Sequence, residues 1–263
     1  MAPRRVSGVL GVSLATVLLG ACGTEGESDL VEASSAITAA NALTANALTA
    51  NALTANALTA NALTANALTA NALTANALTA NGLRDPLGRE LLKYVVSCAL
   101  PAGAMVSLTV DGHRYDFPGS LGLASEWGGS HGSCDRSCQR WVSACVLSRV
   151  DAAGVERQIS IRGDNRALLP TWQELRDYRV REATYYGNIF AAGQPRYLCL
   201  SPGANSDERV CGSSLSSCPM TVVGECDEVC DDRGWFGTFS ECRTSSRNGR
   251  ADRYDETVTV FLP

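Results

Sequence analysis

The chain has 263 residues, 45% hydrophobic and 19% charged, with a formal net charge of −5. That acidic balance argues against a nucleic-acid surface, which needs concentrated positive charge. Eleven cysteines direct attention to an oxidising compartment and a disulfide framework.

The chain begins MAPRRVSGVLGVSLATVLLGAC. Arg4 and Arg5 give a short basic start, and the 15 residues from Val6 to Gly20 are uncharged and apolar or small. A membrane-spanning helix needs roughly 20, whereas a signal-peptide core is this short. Leu18 to Cys22, LLGAC, resembles a lipobox, the processing site of bacterial lipoproteins. The resemblance implies that residues 1–21 are a signal peptide and that Cys22 is lipidated, so the partner at that end is a membrane. Gly23, standing where an aspartate favours inner-membrane retention, implies by the same resemblance the outer membrane or cell surface. The surroundings of Arg4-Arg5 lack the twin-arginine consensus, so general secretion is expected. An ordinary signal peptide with a chance cysteine is the alternative. Loss of residues 1–21 removes two arginines and no acid, leaving 20 basic against 27 acidic side chains, about −7.

Residues 22–40 read as a small, polar linker. Residues 41–84 are a spacer in which Asn-Ala-Leu-Thr-Ala is copied eight times without change from Asn41 to Ala80. Leucine every fifth residue steps by about 140° on an α-helix, so the leucines wind around all sides and form no apolar face. On a strand the odd spacing sends successive leucines to opposite faces. The run resembles pentapeptide-repeat sequences, which implies a four-sided β-helix with one unit per side. The match is loose, because alanine precedes each leucine and asparagine lies one place earlier than that family prefers. Solenoid, helical run and mobile linker all remain open. As an extended spacer, 40 residues reach about 130–145 Å; as a flexible coil they span about 30–40 Å. Copies this uniform point to recent duplication, with length as the selected or tolerated property, or to an expansion without a role.

From Asp85 aromatics, charges and cysteines appear together, and residues 85–263 are read as one cysteine-rich α+β domain. DPLGRELLKYVVSCALP (85–101) predicts a helix capped by Asp85, with Pro86 in the first turn and Pro101 ending it. Its buried stripe is Leu87, Leu91, Leu92, Val95, Cys98 and Ala99. MVSLTVDGHRYDF (105–117) predicts a hairpin turning at Asp111-Gly112. Residues 135–150 predict a helix, 157–164 a strand, and TWQE (171–174) a short helix opened by a capping box. YLCL (197–200) and ETVTVFL (256–262) are further strands. The fold class expected is α+β: a disulfide-rich domain with a small antiparallel sheet and a few short helices, behind a low-complexity spacer.

With Cys22 set aside, ten cysteines remain: Cys98, Cys134, Cys138, Cys145, Cys199, Cys211, Cys218, Cys226, Cys230 and Cys242. The even count in an exported chain predicts that all ten are in disulfides. A zinc site using Cys134/Cys138 or Cys226/Cys230, with His131 near, is the competing reading. Cysteines four apart on a helix have Cβ atoms about 5–6 Å apart, beyond the roughly 3.5–4.5 Å of a disulfide. Cys134 is therefore not expected to pair with Cys138, nor Cys226 with Cys230, if each pair is helical. Each should staple its helix to another element. Residues 199–242 hold six of the cysteines in a Gly-, Ser- and Asp-rich stretch that depends on its bridges.

CQRWVSACVLSRVDAAGV (138–155), YYGNIF (185–190) and RVCG (209–212), behind a lipobox, resemble a group of uncharacterised cysteine-rich secreted proteins of myxobacteria. The resemblance implies a location and no activity. No catalytic motif stands out. His113 follows a hairpin turn and reads as exposed. His131, in WGGSHGSC with Ser130 and Ser133, is the one candidate general base. Asp227, Glu228, Asp231 and Asp232 are candidate calcium ligands without the EF-hand spacing; a solvated surface is the simpler reading. Trp127, Trp141, Trp172 and Trp235 are expected in the core, with Trp127 and Trp235 in glycine-containing loops. Asp164-Asn165 reads as a turn, and Glu174, Asp177 and Glu182 define no catalytic pair. No cofactor is called for. The functional expectation is a non-enzymatic, lipid-anchored module that binds a protein or glycan partner at the cell surface. The alternatives are a secreted hydrolase of envelope polymers or foreign cells, and a purely structural spacer.

Overall fold

A computed structural model describes residues 42–43, 48–49, 83–129, 132–203, 207–212, 218–244 and 252–263. Cys22, His131 and units three to eight of the repeat lie outside them. Within the described residues the fold is α+β, with small, mainly antiparallel sheets, few helices and five cysteine bridges.

Two short strands come from the repeat, β1 (Ala42–Leu43) and β2 (Leu48–Thr49). Helix α1 (Pro86–Ala99) begins as its sequence predicts: the Asp85 carboxylate accepts from the Leu87 N–H at 3.0 Å, with Pro86 at the first position. It ends at Leu100, which is extended ahead of Pro101. Its stripe buries Leu91, Leu92, Val95, Cys98 and Ala99, with Tyr94 and Val96 beside them and Leu87 half-buried. Strands β3 (Met105–Val110) and β4 (His113–Pro118) form the hairpin. Asp111 and Gly112 both have positive φ, 50° and 82°, as a two-residue turn of this hand requires.

Helix α2 (Arg136–Ser148) leads into β5 (Val150–Asp151) and β6 (Ile159–Arg162). Helix α3 (Trp172–Asp177) opens with the complete capping box, Thr171 and Glu174 each bonding the other's backbone N–H. Then follow β7 (Val180–Gly187), β8 (Arg196–Leu200), α4 (Asp207–Cys211), β9 (Thr221–Glu225), α5 (Cys226–Val229), β10 (Cys230–Arg233), β11 (Phe239–Arg243), β12 (Arg253–Tyr254) and β13 (Val258–Leu262). The main sheet has the order β1-β6-β13-β7-β8-β9, antiparallel except for the β8–β9 pair. A second sheet is β10-β11-β12.

Both faces of the main sheet are covered. Helix α2 lies against β7 and β13, with α1 packed on α2 and on β4. Tyr185 and Leu198 face that larger core, which also buries Leu83, two residues ahead of the composition change. Trp127 is fully buried there and meets Phe190 edge-on at 5.8 Å. Their neighbours Tyr186 and Cys199 face a smaller core with Cys226, Val229, Phe239, Cys242 and Tyr254. Helix α5 and the sheet β10-β11-β12 thus cover the far face of the main sheet, while Val210, Cys211 and Met220 join the larger core. Strand β7, the middle of the arrangement, was not among the predicted strands. Its last six residues are all buried, so it lacks the alternation that marks a half-exposed strand.

The bridges are Cys98–Cys145, joining α1 to α2; Cys134–Cys138; Cys199–Cys226, joining β8 to α5; Cys211–Cys218; and Cys230–Cys242, joining β10 to β11. Cys226 and Cys230 each staple to another element, as expected. Cys134 and Cys138 do not follow the expectation: they pair with each other, their Cα atoms 5.2 Å apart. The reason is the helix start. Asp135 is the cap, accepting from the Cys138 N–H at 2.9 Å, so Cys134 lies outside the helix and helical spacing does not bind it. The tryptophans also divide. Trp127 is buried and Trp141 half-buried, but Trp172 and Trp235 are 83% and 86% exposed. Trp172 is the first residue of α3, which turns Glu174 inward instead.

Candidate functional site

The most exposed aromatic feature is the tip between β10 and β11, Gly234-Trp235-Phe236-Gly237. Gly234 N–H donates to the Thr238 carbonyl at 3.0 Å, closing the loop. A Cβ at Gly234 would meet the Thr238 hydroxyl at 2.5 Å, so glycine leaves the room this closure needs. Thr238 also donates its hydroxyl to the Trp235 carbonyl. Phe236 holds a left-handed backbone, φ 63°, before Gly237 at 77°, a conformation that costs a non-glycine residue free energy. That turn leaves Trp235 in solvent and Phe236 42% exposed. The base is clamped by the Cys230–Cys242 bridge, whose residues are direct cross-strand partners.

Two arginines flank the tip. Arg181 donates to the Gly237 carbonyl at 3.0 Å and lies over the Phe239 ring at 4.5 Å. Arg233 lies over the same ring at 5.7 Å and pairs with Asp227 at 2.5 Å. Burial lowers the Arg181 guanidinium below the usual arginine range, and the Arg233 charge adds to that. The result is an aromatic pair on a cross-linked hairpin with positive charge at its foot. Aromatic groups on a pre-ordered loop supply contact area at little entropic cost.

A second feature is an open depression of about 330 Å³, with Trp127 and Cys138 below and Ser125, Glu126, Ser133 and Asp135 around it. Ser125 donates to the Gly122 carbonyl, and Asp135 is engaged as the cap of α2. His131 itself lies outside the described residues. His113 is exposed, its Nδ1 3.3 Å from the Asp111 carbonyl.

Two of the acidic candidates are turned toward arginines. Asp227 faces Arg233, and Asp231 faces Arg243 and Arg253; Glu228 is exposed. The metal-like grouping that does occur among the described residues is sulfur: Cys199, Cys230 and Cys242 lie within 4.8 Å of one another. Each of these sulfurs is bonded in a bridge, as are Cys134 and Cys138, and a ligating cysteine must be a free thiolate. Asn165 caps the turn of helix after it, accepting from Ala167 N–H.

Glu174 and Glu182 stand out in the sequence as carboxylates, but their buried partners Ser160, Arg162 and Arg209 do not. The Arg209 guanidinium grips Glu182 through two bonds of 2.7 and 2.6 Å, and also donates to the Val150 carbonyl and the Tyr185 hydroxyl. This fastens α4 to β7 and β5. Arg162 donates to the Ser160 hydroxyl, which donates to Glu174. Burial raises the Glu174 carboxyl above its ordinary range, against the bonds from Ser160 and the Thr171 amide and the charge of Arg162. Nothing local in the sequence marks these residues as partners, because they meet only through the sheet.

No protein-family model matches the chain, and neither a curated protein nor a solved structure is significantly similar to it.

Proposed function

We propose that the chain is a lipid-anchored cell-envelope protein whose cysteine-bridged domain is a non-enzymatic binding module. It is held from the outer membrane by Cys22 and the repeat, and it meets a protein or glycan partner at the cell surface. The lipobox resemblance and the pairing of all ten remaining cysteines support the location. Trp235 carries the binding reading: a tryptophan 86% exposed at the tip of a disulfide-clamped hairpin. A solvent-facing indole with an adjacent phenyl suits stacking on a sugar ring or insertion into a protein pocket.

The test uses full-length protein in detergent against isolated sacculi, outer-membrane vesicles and whole cells. Wild type binds one of these, and Trp235→Ala binds at least roughly tenfold more weakly, the loss expected of an interface anchor. Trp172→Ala, equally exposed but on α3 rather than on the clamped hairpin, keeps binding. Equal binding by Trp235→Ala and wild type would remove the tip from the reading. Intact mass with alkylation before reduction is expected to give a lipidated Cys22 and no free thiol. The hydrolase reading draws only on the depression lined by Ser125, Glu126, Ser133 and Asp135; Glu126→Gln abolishing breakdown of an envelope polymer would favour it.

A further inference from the structure

The two strands drawn from the repeat sit at two separate points of the domain. Ala42 and Leu43 pair antiparallel with Ser160 and Ile159 of β6. Leu48 and Thr49 pair parallel with Val150 and Asp151 of β5. Without β1, β6 would be the bare edge of the main sheet, and a bare edge invites another strand. With β1 and β2 in place, Ile159, Ser160, Val150 and Asp151 are fully buried. The first dock takes the second and third residues of unit one; the other takes the third and fourth of unit two. The two docking points therefore accept a segment with a five-residue pitch.

Every adjacent pair of units from Asn41 to Ala80 offers the same residues at the same spacing, so eight copies give seven equivalent choices. Strand addition gains its affinity from main-chain hydrogen bonds and its selectivity from alternate side chains. Both are identical in every copy. We propose that the β6 edge and β5 form a receptor for the Asn-Ala-Leu-Thr-Ala unit of this same chain, and that the copies are interchangeable occupants. The occupied pair sets how much chain lies between the dock and residue 22. Each exchange by one unit moves five residues from one side of the dock to the other, about 16–18 Å of extended chain. The repeat is then an adjustable strap. The strap's role as a membrane tether rests on the lipid-anchor reading; the docking does not.

Hydrogen exchange by mass spectrometry on the full chain tests this. In one variant, units one and two (41–50) are replaced by Gly-Ser of equal length. In a second, all eight units are replaced. The first variant is expected to protect segments 149–152 and 158–161 as wild type does, because later units take the same register. The second is expected to exchange there at least roughly tenfold faster, as an opened edge does. Excess NALTANALTA peptide added to it should restore protection, which separates an empty dock from an unfolded domain. Loss of protection in the first variant would show that only the first two units dock, and would overturn the proposal. So would full protection in the second variant, or failure of the peptide to restore it. A dimer that forms with wild type and the first variant but not with the second would make another copy the occupant, and would overturn the same-chain assignment. Loss of lipidation with docking intact would instead strike only the anchor reading.

Discussion

Arg209 and Glu182 offer the sharpest test of how the domain is held together. The pair is buried, at 5% and 1% side-chain exposure, and the two nitrogens of Arg209 that reach the carboxylate lie 2.7 and 2.6 Å from it. Arg209→Met removes both bonds and those to the Val150 carbonyl and the Tyr185 hydroxyl, while leaving a carboxylate in the core that has lost its cationic partner and still accepts from the Tyr185 hydroxyl at 3.2 Å. Removing one member of a buried ion pair costs about 3–5 kcal/mol, a large share of the roughly 5–15 kcal/mol that stabilises a domain. For about 179 residues, each kcal/mol moves Tm by about 2–4 °C, so Arg209→Met should melt about 6–20 °C lower. The double variant Arg209→Met/Glu182→Leu removes both charges and should recover most of that loss, since an apolar pair of similar volume is often as stable. Non-reducing thermal melts and urea titrations of the four proteins give the coupling directly. A single variant within about 1 kcal/mol of wild type, or a double variant as unstable as the two losses added, would refute the reasoning.

Three further outcomes follow from the geometry. Because the native Glu174 carboxyl is raised, its contribution to stability is present below the ordinary carboxylate value and is lost as pH rises through the raised one; Glu174→Gln should therefore lose less stability than wild type in urea titrations taken upward from pH 4.5. Cys226→Ser frees the Cys199 thiol 3.7 Å from Cys230, where its thiolate can attack that sulfur, form Cys199–Cys230 and release Cys242; peptide mapping after incubation at mildly alkaline pH should find both pairings, and a map with Cys230–Cys242 alone would oppose it. Gly187→Ala places a Cβ 2.2 Å from the Pro195 carbonyl, whereas Gly112→Ala meets open space; melts should show Gly112→Ala losing about 1–2 kcal/mol for its positive φ and Gly187→Ala losing clearly more.

The parts of this fold that were legible in the sequence are those decided by neighbours in the chain. Asp85 with Pro86, Thr171 with Glu174, and Asp111 with Gly112 each fix a helix start or a turn within four residues, and each stands as read. The parts that were not legible depend on distant partners. Residues Glu182 to Gly187 look like no strand because helices cover one face and α5 with the β10-β11-β12 sheet the other. Trp127 and Trp235 both sit in glycine-containing loops, yet one is the centre of the core and the other its most exposed aromatic. Only the position of α1 and Phe190 against the first, and the left-handed Phe236 beside the second, separate them. Cys134 shows the finest margin: moving the helix start past Asp135 reversed the pairing that helical spacing predicts.

The repeat is opaque to sequence reading for another reason, which is symmetry. Identical units make identical local contacts, so no residue in 41–80 can say which unit docks. The choice falls to terms outside the dock. With units one and two in place, 33 residues (50–82) lie between Thr49 and Leu83; with units seven and eight, three would. Loop closure costs about 0.6 kcal/mol per doubling of length, so the two extremes differ by about 2 kcal/mol, which is roughly thirtyfold in population. That is far less than breaking a core contact, and comparable to a few backbone hydrogen bonds. Loop closure and a pull on the N-terminal side both favour the late units, while the structure records the earliest pair. A strap whose registers differ this little can pass between short and long tethers without any change in the domain it is tied to.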